Sequence, residues 1–223
     1  MGLKKINGIF IDIDDTLYSY AECDAAGRKA VFDYLSGKLN IPQKKIATAY
    51  NRARKKTHSN LKGLASSHSR FLYIQGCLEE LTNLTPITIV MRAEAVFWKS
   101  FMDKIHLRPR ILEFLRSIKK AGLKTVVITD LTARVQFEKI SKLALDRFVD
   151  FVVTSEEAGG DKPSAAIFRV ALKKCGLKPS QVVMVGDNRK RDVAGARKLG
   201  IRTIIINKEL GFKKITLSGI LAG

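Results

Sequence analysis

Two aspartates separated by a single residue, Asp12 and Asp14, stand at the end of a short apolar run, 8–13, that reads as a buried strand. A carboxylate within such a run is costly unless it is paired or bound to a cation. Polar residues follow later apolar runs as well: Thr129 with Asp130, then Lys162 beside Pro163, then Asp187 with Asp192 close behind. Gathered at one place, this set suits phosphoryl transfer. Crowded carboxylates need a hard cation to relieve their repulsion, and oxygen ligands with no His or Cys nearby favour magnesium. A carboxylate beside the metal can attack phosphorus. A second carboxylate can protonate the leaving oxygen and later activate water. A lysine and a threonine can hold the phosphoryl oxygens and offset charge in the transition state.

For residues so far apart to meet, the runs that carry them must be neighbours in one sheet. Apolar, β-branched runs occur at 8–13, 124–129, 148–153, 181–186 and 202–206. From residue 109 onward they alternate with helical patterns through short connections carrying Gly, Pro or Asp. Near-continuous apolar strands between helices predict an α/β fold, a doubly wound parallel sheet buried on both faces. Such sheets bind ligands at the carboxyl ends of their strands, where the polar residues fall. Residues 18–106 read differently, with helical stretches at 21–39, 43–58, 67–83 and 87–104. Phe71, Ile74, Leu78 and Leu81 follow helical spacing, and Pro42 and Pro86 fall near helix starts. A helical insertion of this length is more than a crossover. The expected organisation is a Rossmann-like core of residues 1–17 and 107–223 with a helical domain of residues 18–106.

In this order the motifs resemble those of the haloacid dehalogenase-like hydrolase superfamily, over residues 8 to 207. Asp12-Ile13-Asp14-Asp15-Thr16-Leu17 looks like the first motif, which implies Asp12 as nucleophile and Asp14 as acid/base. Thr129 looks like the hydroxyl of the second motif and Lys162 like the lysine of the third. Asp187 and Asp192 look like the acidic fourth motif. The resemblance implies a phosphatase with Thr129, Asp130 and Lys162 around the phosphate. It implies Mg2+ held among Asp12, Asp14, Asp187 and Asp192, and a helical cap where the insertion lies. Two details depart from the common pattern. Asp15 stands where glycine is frequent, although aspartate tolerates unusual backbone angles. Arg189, Lys190 and Arg191 make the fourth motif strongly basic.

Within the insertion, the polar stretches 57–62 and 66–70 offer His68 and Arg70 as candidates to contact the substrate, Arg70 first because a guanidinium grips a second anionic group in a fork. Phe97, Trp98 and Phe101 are expected in the core of the insertion. The expected partner is a small phosphorylated substrate.

Other classes fit less well. A dehalogenase needs no metal and would leave Asp14, Asp187 and Asp192 without a role. A phosphomutase shares the aspartyl-phosphate and differs in whether water is admitted. Receiver domains are shorter and carry the phosphorylated acid after a later strand. The formal charge of +19, from 40 Lys and Arg against 21 Asp and Glu, raises nucleic-acid binding as an alternative. The basic residues are spread along the chain, however, without the interleaved aromatics that stack bases. Three dispersed cysteines form no C-x-x-C pair, which argues against a disulfide framework or a structural zinc site. The first residues lack the apolar core of an export signal, and no run approaches a membrane span, so the expected location is cytoplasmic with no membrane partner.

Overall fold

The computed structural model describes residues 5–206 and 216–222. Residues 1–4, which open the stretch read for export signals, lie outside the described residues, as do 207–215 and 223 of the expected core. By internal contacts the chain divides into two compact units, Met1–Ser19 with His106–Gly223, and Tyr20–Ile105. Among the described residues no helix is long and apolar enough to cross a membrane.

The first unit is built on five parallel strands: β1 (Gly8–Ile11), β2 (Lys124–Thr129), β3 (Phe151–Thr154), β4 (Val182–Gly186) and β5 (Arg202–Ile205), in the order β3-β2-β1-β4-β5. This is the predicted doubly wound α/β sheet. β1 is central because it is apolar throughout: Ile9, Phe10 and Ile11 are fully buried. Burying each such side chain stabilises the fold by roughly 1.5–3 kcal/mol. Phe10, Val126, Ile128, Val153 and Met184 form one cluster with Ile167, Phe168 and Ala171 of the helix Ala165–Cys175. The helix Ile111–Lys120 buries Ile111, Phe114, Leu115 and Ile118.

Register aligns the strand ends. Ile11 sits opposite Val127 on one side and Val185 on the other. The Asp12 amide continues the ladder by donating to the Val185 carbonyl at 3.0 Å. β2 lies to one side of β1 and β4 to the other, so the chain reverses direction across the sheet beside β1. That reversal opens a crevice at the carboxyl ends. The third strand is shifted from its expected place. Residues Asp146–Phe148 form a tight 3-10 turn, and pairing with β2 begins only at Phe151.

The second unit has four helices: α1 (Tyr20–Leu39), α2 (Gln43–Asn60), α3 (Arg70–Thr82) and α4 (Ile87–Lys104). α1 packs on α4 and α2 on α3. Pro42 and Pro86 are the residues immediately before α2 and α4, where a missing amide proton costs nothing. Phe97 and Phe101 are fully buried and Trp98 nearly so, as expected of this unit's core. The apolar stripe of α3 is rotated from the expected one. Tyr73, Ile74, Cys77 and Leu78 face inward while Phe71 is exposed.

Candidate active site

The site grows from the turn after β1. The Thr16 and Leu17 amides both donate to the Ile13 carbonyl, at 3.2 and 2.9 Å, which folds the chain back directly beyond the strand. That turn requires a left-handed residue, and Asp15 supplies it with φ 65°. Aspartate takes the place of glycine here, as its local hydrogen bonding permits. The Asp12 and Asp14 carboxylates have separate surroundings.

Asp12 is 5% exposed, and one of its oxygens accepts from Lys162 Nζ at 2.5 Å. Its other oxygen accepts from the Thr16 hydroxyl at 3.0 Å. The Thr16 hydroxyl also lies 3.3 Å from Asp187 Oδ1, so it stands between two carboxylates with one proton to give. Burial pushes the Asp12 carboxyl well above its ordinary range, with repulsion from Asp192 and Asp14 adding to it and Lys162 opposing it.

Lys162 is 4% exposed and bridges the cluster, with Nζ at 2.8 Å from Asp192 Oδ1 and 3.1 Å from the Ile128 carbonyl. Burial would release its proton, but Asp12, Asp192 and Asp130 together hold the ammonium well above the usual lysine range.

β4 ends at Gly186, and Asp187 and Asp192 follow around a π-helical turn, Arg189–Val193. Asn188 caps that turn by accepting from the amides of Lys190 and Arg191, both at 3.0 Å. The Asn188 amide in turn donates to Asp192 Oδ2 at 3.0 Å. Glycine is needed at 186 because a Cβ there would collide with the Asp192 carboxylate. Oxygens of Asp12, Asp187 and Asp192 all lie within 4.8 Å of one another. Three carboxylates, two of them buried, against the single ammonium of Lys162 leave excess negative charge. Such an all-oxygen donor set fits a hard divalent cation.

Asp14 does not join that group through its carboxylate, contrary to its expected place among the metal ligands. Its side chain is turned toward the helix Ala133–Lys142, where Lys139 and Gln136 reach it, and it also accepts from the Tyr18 hydroxyl at 2.5 Å. Burial would raise its carboxyl, but the Lys139 charge and the hydrogen bonds of Lys139, Tyr18 and Gln136 outweigh that and hold it below the usual carboxylate value.

The Asp130 carboxylate accepts from the Lys162 amide at 2.8 Å and from Arg191 at 3.3 Å. It thereby fixes the loop that carries Lys162. Burial raises its carboxyl, with Lys162 the main opposing influence. Thr129 is fully buried at the end of β2, its hydroxyl 3.4 Å from the Asp130 carbonyl.

Arg70, the expected substrate contact, belongs to the interior of the helical unit. It is 5% exposed and donates to the Tyr20 hydroxyl, to Asp24 at 3.1 Å and to the His68 carbonyl at 2.7 Å. Its guanidinium lies 5.2 to 5.7 Å from the ring centres of Tyr20, Tyr73, Phe97 and Trp98. Cation–π contact and a buried ion pair occupy its fork. The half-buried His68 packs its ring edge-on against His58, 5.2 Å between centres.

The family model for haloacid dehalogenase-like hydrolases matches residues 9–206. The chain belongs to this family. Among its haloacid dehalogenase-like relatives is a ribulose-1,5-bisphosphate 5-phosphatase of Halopiger xanaduensis, 30% identical over 89% of this chain and 84% of the relative. Another is a glyceraldehyde 3-phosphate phosphatase of Methanocaldococcus jannaschii, 32% identical over 91% of this chain and 86% of the relative. The fold matches that of a 2-haloacid dehalogenase from Pseudomonas syringae, with a TM-score of 0.73 at 23% identity over 91% of this chain and 86% of that one. The family's fold thus serves both carbon–halogen and phosphate chemistry, and the site residues must distinguish them.

Proposed function

We propose that the protein is a magnesium-dependent phosphatase of small phosphorylated metabolites, working through phosphoryl-Asp12, with the helical unit Tyr20–Ile105 as its cap. The observation that carries this reading is the cluster in which buried Asp12 meets Lys162, Asp187 and Asp192. A dehalogenating aspartate has no use for two further carboxylates at its edge. Asp12, Asp187 and Asp192 would hold the ion. Magnesium, when bound, would offset the crowded negative charge and draw a phosphoryl oxygen toward Asp12.

A carboxylate oxygen of Asp12 attacks phosphorus in line with the ester oxygen, and the phosphorus–oxygen bond to the departing alkoxide breaks. Asp14 relays a proton to that alkoxide, one that it must first take up against the Lys139 and Tyr18 contacts that favour its charged form. Lys162 neutralises charge on the phosphoryl oxygens as they pass through the transition state, with Thr129 at the same strand ends. A water then attacks phosphorus, Asp14 takes the water's proton, and the phosphorus–oxygen bond to Asp12 breaks.

The names of the two phosphatase relatives both denote sugar or triose phosphates, so esters of that class head the test panel. Phosphate release from such a panel should require added magnesium and stop on chelation. Release that survives chelation, or halide release from a 2-haloacid, would contradict this reading.

A further inference from the structure

Lys139 was not among the residues that the motifs single out, yet it is fully buried and ends on Asp14. Burying an ammonium is expensive unless its partner is well placed. Here Nζ spans both oxygens of Asp14, at 2.8 Å from Oδ1 and 3.1 Å from Oδ2, with the Tyr18 ring centre 5.8 Å away. Gln136, three residues earlier on the same helix, is also fully buried. Residues so spaced lie on one helical face. Its amide nitrogen donates to Asp14 Oδ2 at 3.2 Å and to the Asp130 carbonyl at 2.6 Å.

The two oxygens of Asp14 are held unequally. Oδ1 carries the short contacts, from Tyr18 at 2.5 Å and Lys139 at 2.8 Å. Oδ2 carries the long ones, at 3.1 and 3.2 Å. Every group in the clasp is a donor, so it anchors the carboxylate chiefly through Oδ1 and fixes the direction in which Oδ2 points.

Resting on the phosphatase reading above, we propose that Lys139 and Gln136 are positioning residues that aim Asp14 Oδ2 at the water cleaving phosphoryl-Asp12. In that step the water oxygen bonds to phosphorus and its proton passes to Asp14 Oδ2. The phosphorus–oxygen bond to Asp12 breaks, its electron pair returning to the Asp12 carboxylate, and inorganic phosphate forms. The first half-reaction depends on the clasp far less when the leaving group departs without a proton.

The test is rapid-mixing kinetics of Lys139→Met with p-nitrophenyl phosphate and magnesium. A nitrophenolate burst equal to the enzyme concentration is expected, with kcat lowered about 100-fold, the range of a lost general base. Because the first step is spared, kcat/KM should stay within about 3-fold of the wild type, and Lys139→Arg should restore part of kcat. If Lys139→Met does not fold, Gln136→Leu should give the same burst and the same split. Parallel loss of kcat and kcat/KM without a burst, or unchanged kinetics, would overturn the proposal while leaving the phosphatase reading intact. A folded wild type inert toward every phosphate ester would overturn both.

Discussion

Asp12→Asn should abolish turnover, by about four orders of magnitude or more if Asp12 is the nucleophile, since other groups cannot replace the attacking atom. The fold should survive. Asparagine has the same shape, and its amide oxygen can still accept from Lys162 or Thr16, the partners of the Asp12 carboxylate. The loss should appear in kcat with every substrate, and circular dichroism should match the wild type. A folded Asp12→Asn enzyme that keeps magnesium-dependent turnover would remove Asp12 from the chemistry.

The second large effect belongs to Lys162. Its ammonium is the shared partner of Asp12 and Asp192, each almost wholly buried. Lys162→Met leaves those carboxylates facing each other without a protein cation. Breaking a buried pair in this way costs about 3–5 kcal/mol of stability. The cost should be largest in the metal-free protein and shrink on adding magnesium, because a cation that binds only the folded state stabilises it by mass action. Denaturant unfolding with and without magnesium measures both. Turnover should remain low even where magnesium restores the fold, since the charge that faces the phosphoryl oxygens is gone. An unchanged unfolding midpoint without metal would mean that Lys162 does not hold the cluster together.

The sequence revealed this site unevenly, for physical reasons. Asp12 was legible because a carboxylate in an apolar strand contradicts its surroundings. Asp187 and Asp192 were legible because they flank a turn at the end of another such strand. The parallel sheet followed from apolar runs alternating with helices, whereas the order of its strands came only with the fold. The clasp on Asp14 was not legible. Lys139 lies 125 residues from its partner, and a lysine in an amphipathic helix looks solvated until the fold buries it. Arg70 misled for the opposite reason. Its polar neighbours suggest an open loop, but the first turn of α3 swings the guanidinium inward onto Asp24 and four aromatic rings. Phe71 is exposed because that same turn directs Tyr73 and Ile74 to the interior. Periodicity locates a helix better than it fixes the helix's rotation, which neighbouring helices decide.

The central claim is that phosphate passes through Asp12 on its way to water. The direct measurement is the configuration of phosphorus after hydrolysis of an ester made chiral by oxygen isotopes, run in isotopic water. Two successive in-line displacements, one by Asp12 and one by water, predict overall retention. Inversion would mean a single displacement by water and would contradict the account.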